Sequence, residues 1–216
     1  MPSGRPRFRS LLTNGALVLV SLIVALLLAE GVVRMAAPQN LGGTQLVQTE
    51  HGLWANRPSD AIPFAHDERH NTYRITPLNE RAPVVQGERD LLLLGDSFAF
   101  GWLLADDDAP HTLIQRGIDE AVGRSAWSVR NVATPGWGTG DYVAFLEDEH
   151  ARYAPDAVLV LLNVDDVARA GRSPHWQLSA DTLTRNGVRR NAWKYRLNTS
   201  PTYQAALMHS HLLHLT

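Results

Sequence analysis

Two kinds of apolar run punctuate this chain. The first is long: residues 10–29 carry no charge, are mostly Leu, Val and Ala, and follow Arg5, Arg7 and Arg9. As a helix rising 1.5 Å per residue, about twenty such residues reach across the roughly 30 Å hydrocarbon core of a bilayer. The basic flank predicts that the N-terminus stays cytoplasmic and that everything after Ala29 is exported to the periplasmic or extracytoplasmic side. A cleaved signal peptide and a retained anchor compete here. The run is longer than a usual signal-peptide core, and the bulky Val33-Arg34-Met35 follows it in place of a small-x-small cleavage site, which favours a single-pass signal anchor. A buried helix of a soluble domain would not need the basic flank.

The second kind is short and repeated. Leu91, Leu92, Leu93 and Leu94, bounded by Asp90 and Gly95, read as a strand buried on both faces, as in parallel sheets. Leu113, Ile114, Gly117, Ile118, Ala121 and Val122 then recur at helical spacing and predict a helix that lays this face on the sheet. Asp106, Asp107 and Asp108 precede it and suit its positive end. A second strand fits 127–133, and a second helix fits 141–153 with Tyr142, Val143, Phe145, Leu146 and Tyr153 inward. A third strand, apolar throughout, fits 157–162. Strand, helix, strand, helix, strand predicts an α/β fold with a parallel sheet and helices on both faces.

The flanks are harder to read. Residues 37–88 are rich in Pro, Gly, Asn, Arg and His, lack sustained periodicity, and read as an irregular lead-in. His66 and His70 stand four apart, as a metal pair on a helix would, but no third ligand or apolar helix pattern joins them, and a solvated loop is the simpler reading. Toward the C-terminus, 175–184 suits a small hairpin turning at Ala180-Asp181. Ser200-Pro201 opens a helix by N-cap and N1 signals, running to about Leu215 with Tyr203, Ala206, Leu207, Met208, Leu212 and Leu213 on one face. The organisation expected is a basic segment and membrane anchor over 1–36, a lead-in over 37–88 and a catalytic-type domain over 89–216.

Composition narrows the function. With 216 residues there is room for one domain and an accessory segment. A net charge of −2 with scattered basic residues argues against a nucleic-acid partner. The absence of cysteine excludes disulfides, thiolate zinc sites and a cysteine nucleophile.

Candidate chemistry begins at Gly95-Asp96-Ser97-Phe98, where the leucine strand ends. In parallel sheets ligands bind outside the carboxyl ends of strands, so Ser97 is a candidate nucleophile. Gly95 permits a sharp turn and Asp96 can bond neighbouring amides; the same tripeptide is also ordinary turn chemistry. Two later stretches favour the first reading. Asn131-Val132-Ala133-Thr134-Pro135-Gly136-Trp137-Gly138-Thr139 follows the second strand, and Asn163-Val164-Asp165-Asp166 follows the third. Together the three stretches resemble the Ser, Gly and Asn blocks of the GDSL esterases and lipases, the SGNH hydrolases, over roughly residues 89–169.

That resemblance implies a flavodoxin-like SGNH hydrolase fold and serine-dependent acyl-ester hydrolysis without metal or organic cofactor. Ser97 would be the nucleophile, and the amides of Ser97 and Gly136 would face the developing oxyanion, with a third donor from the third block. That block departs from the family's Gly-x-Asn-Asp. One superposition puts Asp165 on the asparagine, and an ionised carboxylate donates no hydrogen bond; the other puts Asn163 there. The family's fourth block, Asp-x-x-His, is not visible, since none of His175, His209, His211 and His214 has an acid three positions earlier. The catalytic His is therefore unassigned. Three explanations remain open: a chain that is the N-terminal portion of a longer protein, an inactive SGNH-like binding module, or a late histidine serving alone. The substrate expected from an anchored, exported esterase is an acyl ester, with acylated envelope carbohydrate as an analogy. Acyl transfer to a sugar hydroxyl would use the same serine. The oligomeric state is not readable.

Overall fold

The computed structural model describes residues 5–39, 41–66 and 69–215. Helix α1 (Arg5–Ala36) has an apolar stretch that is long enough to cross a membrane and is not buried by the protein, while its last turns bond the 209–212 segment. Two antiparallel pairs follow: β1 (Leu46–Gln48) with β2 (Trp54–Asn56), and β3 (Ser59–His66) with β4 (Arg69–Ile75). The 37–88 segment is thus not an irregular lead-in. His66 and His70 lie on the paired strands β3 and β4, in register with Arg69 and Ala65, rather than on a helix, and residues 67 and 68 between them lie outside the described residues.

The centre of the molecule is a parallel sheet of β5 (Arg89–Gly95), β6 (Trp127–Asn131) and β7 (Ala157–Leu161), in the order β6-β5-β7. The protein is α/β, as the alternation of strand and helix predicts. Leu92, Leu93 and Leu94 of the central strand are fully buried, which a strand with neighbours on both edges and layers on both faces requires. Leu92 and Leu94 pack with Trp137, Tyr142, Phe145 and Tyr153 under helix α4 (Thr139–Tyr153). Leu93 pairs with Asn131, whose side chain reaches His111 on helix α3 (Pro110–Val122) over the opposite face.

Three packing expectations are corrected. Helix α3 buries His111 and Gln115, while Leu113 and Val122 are exposed. The reason is polar. Gln115 accepts from the Val129 amide and donates to the Trp127 carbonyl, satisfying the free edge of β6 that apolar side chains would leave unpaired. On α4, Val143 points to solvent. Strand β7 is apolar yet not buried: Val158 and Val160 are each 41 % exposed, because the strand is the edge of the sheet among the described residues. The three aspartates do not cap α3 with their side chains. They form a 3-10 turn (Asp106–Asp108), and Ala109 is the cap residue, with Pro110 opening the helix.

The last third comprises α5 (Val164–Ala170), the hairpin β8 (Trp176–Ser179) and β9 (Thr182–Arg185), α6 (Ala192–Thr199) and α7 (Pro201–Leu207). The hairpin turns at Ala180 and Asp181, both left-handed, as expected. Ser200 caps α7 through the Tyr203 amide, but the helix stops at Leu207, and a 3-10 turn (Leu212–His214) follows in place of its predicted second half.

Candidate functional site

Ser97 opens the four-residue helix α2 (Ser97–Phe100) directly past the central strand. Asp96 caps it, its carboxylate accepting the Phe98 amide at 2.9 Å. Gly95 is required here by proximity: a Cβ on it would lie 2.9 Å from the Leu161 carbonyl and against Ala99. The Ser97 amide is among the helix-start donors with no partner inside α2. Its hydroxyl bonds no group among the described residues, leaving it available to a ligand.

Register brings the three sequence blocks to one end of the sheet. Gly95 pairs with Leu161, and the Thr134 amide donates to the Gly95 carbonyl. Ser97, Gly136 and Asn163 therefore follow the carboxyl ends of three adjacent strands, with Ser97 on the middle one. Gly136 sits at φ +89°, in a turn closed by the Trp137 amide on the Thr134 carbonyl. Pro135 then Gly136 is the order a turn with a left-handed third residue demands. Ser97 and Gly136 line a common cavity of about 570 Å³, whose other walls are Phe98, Gly101, Trp102, Leu103, Leu104 and Pro135. The walls are largely apolar.

Asn163 and Asp165 are not walls of that cavity. Asn163 is the N-cap of α5, its carbonyl oxygen taking the Asp165 amide at 3.3 Å, which leaves its NH₂ free to donate. Asp165 is exposed at the first turn of α5. The buried member of the block is Asp166. It accepts from the Tyr142 hydroxyl and the Asn163 amide at 2.7 Å each. Burial and that neighbouring carboxylate push the Tyr142 hydroxyl up, so it stays a donor.

Sequence reasoning missed what holds these loops together. Arg169 Nη1 donates to Asp96 at 3.1 Å, to Asp166 at 2.8 Å and to the Trp137 carbonyl at 2.9 Å, one partner from each strand-end loop. The hydrogen bond to Asp96 and the charges of both aspartates hold its guanidinium above its ordinary value. Arg81, fully buried, does the same for the cavity wall. Nη1 donates to the Phe100 and Gly101 carbonyls at 2.5 Å and Nη2 to Leu104 at 2.6 Å, with the guanidinium over the rings of Tyr73 and Phe100. Asn71 and Tyr73 of β4 bond Leu103 from the same side. From the other side, Asn56 donates to the Ala133 carbonyl, and the Trp137 indole donates to the Trp54 carbonyl. The antiparallel pairs are the frame of the site.

Among the described residues, no histidine lines the Ser97 cavity. His175 lines a neighbouring one of about 540 Å³ that shares Pro135 and Gly136, with Trp54, Asp141 and Arg172 among its walls. Its Nε2 lies 3.9 Å from the Asp141 carboxylate, and its buried Nδ1 has no hydrogen-bond partner among the described residues. Burial lowers the His175 pKa and raises that of Asp141. Of the other late histidines, His211 and His214 serve the frame. His211 Nδ1 accepts the Gln39 amide, His214 Nε2 meets the Leu207 carbonyl, and His209 is exposed. Among the described residues, no group of three His, Asp or Glu side chains is arranged to hold a metal ion.

Comparison of the chain with protein-family models, with curated proteins and with solved structures gives no match.

Proposed function

We propose that this protein is a serine-dependent acyl-ester hydrolase of SGNH type, held at a membrane by α1 with its domain on the exported side. The observation that carries the reading is the placement of Ser97. It ends the buried central strand of a parallel sheet, opens a helix, has an unengaged hydroxyl, and shares an apolar cavity with Gly136.

The chemistry follows from that placement. The Ser97 oxygen adds to the ester carbonyl carbon while its proton passes to a base, and the carbonyl electron pair moves onto oxygen. The Ser97 and Gly136 amides face that oxyanion, and the Asn163 NH₂ is the third donor. Asp165 is not suited to it, since a carboxylate accepts hydrogen bonds and donates none. Collapse expels the alcohol, which takes up the proton, and water then releases the acid. The apolar walls around Trp102, Leu103 and Leu104 suit the acyl portion. The more polar neighbouring cavity suits the alcohol portion, a hydroxyl-rich carbohydrate included. The base is a histidine outside the Ser97 cavity walls; a neutral imidazole such as His175 is in the correct form to accept a proton but serves only if it reaches Ser97.

A second reading has its own observation. With no histidine among the described walls of the Ser97 cavity, the domain would bind an acylated saccharide without turning it over. Hydrolysis of a short-chain aryl ester by the detergent-solubilised chain and by Ser97→Ala separates the two. A rate that Ser97→Ala abolishes supports the hydrolase, and equal rates in the two proteins remove it. Release of free acid against transfer to an added saccharide distinguishes hydrolase from acyltransferase.

A further inference from the structure

The end of α1 is not a free tether. Glu30 is the first charged residue after the uncharged run, and its carboxylate accepts the Ser210 hydroxyl at 2.8 Å and the amides of His211 and Leu212 at 2.9 and 3.0 Å. One turn on, Arg34 donates to the His209 carbonyl at 3.0 Å, and the Gln39 amide donates to His211 Nδ1 at 2.8 Å. The segment after α7 is therefore clamped to the end of α1, its 210–212 backbone at the level of Glu30 and His209 one turn beyond.

If α1 crosses a bilayer, that level is fixed. Residues 10–29 fill the roughly 30 Å hydrocarbon core, so Glu30 stands where hydrocarbon gives way to headgroups, a layer several ångströms deep. The backbone of 210–212, bonded to the Glu30 carboxylate, stands there too. This same segment exposes large apolar side chains: Met208 and Leu213 at 38 % and Leu215 at 52 %. Residues 200–216 include no acidic side chain, so no side chain in the segment repels anionic lipid. Apolar side chains at that depth lower their free energy by entering the acyl boundary, as interfacial segments do.

We infer that the segment carrying Met208, Leu213 and Leu215 is a second, interfacial contact with the same bilayer that α1 spans. It rests on the reading of α1 as a membrane span. The contact fixes the domain's orientation over the lipid surface instead of letting it swing on a single helix.

The chain has no cysteine, so single-cysteine variants label at one place. Leu213→Cys and Leu215→Cys report the segment, Leu19→Cys reports the middle of α1, and Leu183→Cys, exposed on the β8–β9 hairpin, is the soluble reference. Each full chain carries an environment-sensitive fluorophore and is reconstituted into phosphatidylcholine–phosphatidylglycerol vesicles containing lipid with a shallow nitroxide quencher. The expected result is several-fold stronger quenching at 213 and 215 than at 183. Quenching at 213 and 215 no stronger than at 183, with Leu19→Cys quenched by a deep nitroxide, overturns the contact and leaves the anchor standing. An unquenched probe at 19 overturns the anchor and the contact with it.

Discussion

Lowering the pH should unlock the domain at His111. This side chain is almost wholly buried between α3 and the sheet, where Asn131 Nδ2 donates to its Nδ1 at 3.2 Å. Nε2 carries the proton and lies toward the Ala82 and Pro83 carbonyls without an ordinary hydrogen bond. Burial, with the nearby Arg81 charge second, lowers its pKa from 6.5 to about 4. A base whose folded pKa is depressed stabilises the fold fully only above its unfolded value, and the contribution is lost as pH falls toward the folded one. The window is therefore pH 6.5 down to about 4. A shift of about 2.5 units corresponds to about 3 kcal/mol, of which about 2 kcal/mol is lost by pH 5.

The assay is urea unfolding of the solubilised chain at pH 7 and pH 5, followed by tryptophan fluorescence. Most carboxylates remain ionised at pH 5, so this interval isolates histidines. His175, depressed by burial, contributes with the same sign, and His111→Gln removes only the His111 part. With a urea slope of about 2 kcal/mol/M, the wild-type midpoint should drop by about 1 M more than that of His111→Gln. Equal drops in the two proteins would refute the reasoning, whatever their absolute stabilities.

Other consequences are measurable. Arg81→Met leaves three buried carbonyls without their donor and should cost about 3–5 kcal/mol in thermal or urea melts; a loss below about 1 kcal/mol would show the guanidinium to be dispensable. Gly136→Ala meets no atom within 4 Å, so its cost is backbone strain alone, about 1–2 kcal/mol, with ester turnover falling because the amide moves. Unchanged stability would place residue 136 outside the left-handed region. Arg169→Gln should destabilise by about 2–3 kcal/mol, less than for a fully buried pair because a third of its side chain is exposed. Replacing Asp96 with Asn in that background should then restore part of the loss, since one of the two carboxylates left unpaired is gone, and no recovery would count against the charge argument.

The parallel sheet was legible because its signal is local. Four leucines in a row need layers on both faces, and β5 has them. The same rule overreached at β7, whose composition matches β5 although it lies at the edge: apolar composition reports what a strand can tolerate, not who its neighbours are. The antiparallel pairs were hidden for the opposite reason. Only one face of β3 and β4 is buried, by Ile62, Tyr73 and Ile75, and Pro, Asp, Arg and Asn fill the other positions. The alternation of Ile62 with Phe64 and of Tyr73 with Ile75 was the available sign.

The site divides along the same line. Gly95, Ser97 and Gly136 could be picked out because each answers a demand made within a few residues: close backbone approach, a helix start, a left-handed turn. Arg81 and Arg169 answer demands made elsewhere. Arg81 satisfies carbonyls 19 to 23 residues away, and Arg169 satisfies an aspartate 73 residues away and a carbonyl 32 away. A carbonyl exists at every position, so no residue pattern announces that one of them needs a donor. His111 and Gln115 follow this logic too, since both occupy the sheet-facing side of α3 for what they bond and not for their hydropathy. Where a loop must be held by groups distant in sequence, a polar residue on an inward face is the one trace left. Arg81, two residues before the cis-proline Pro83 in a stretch otherwise free of pattern, left none.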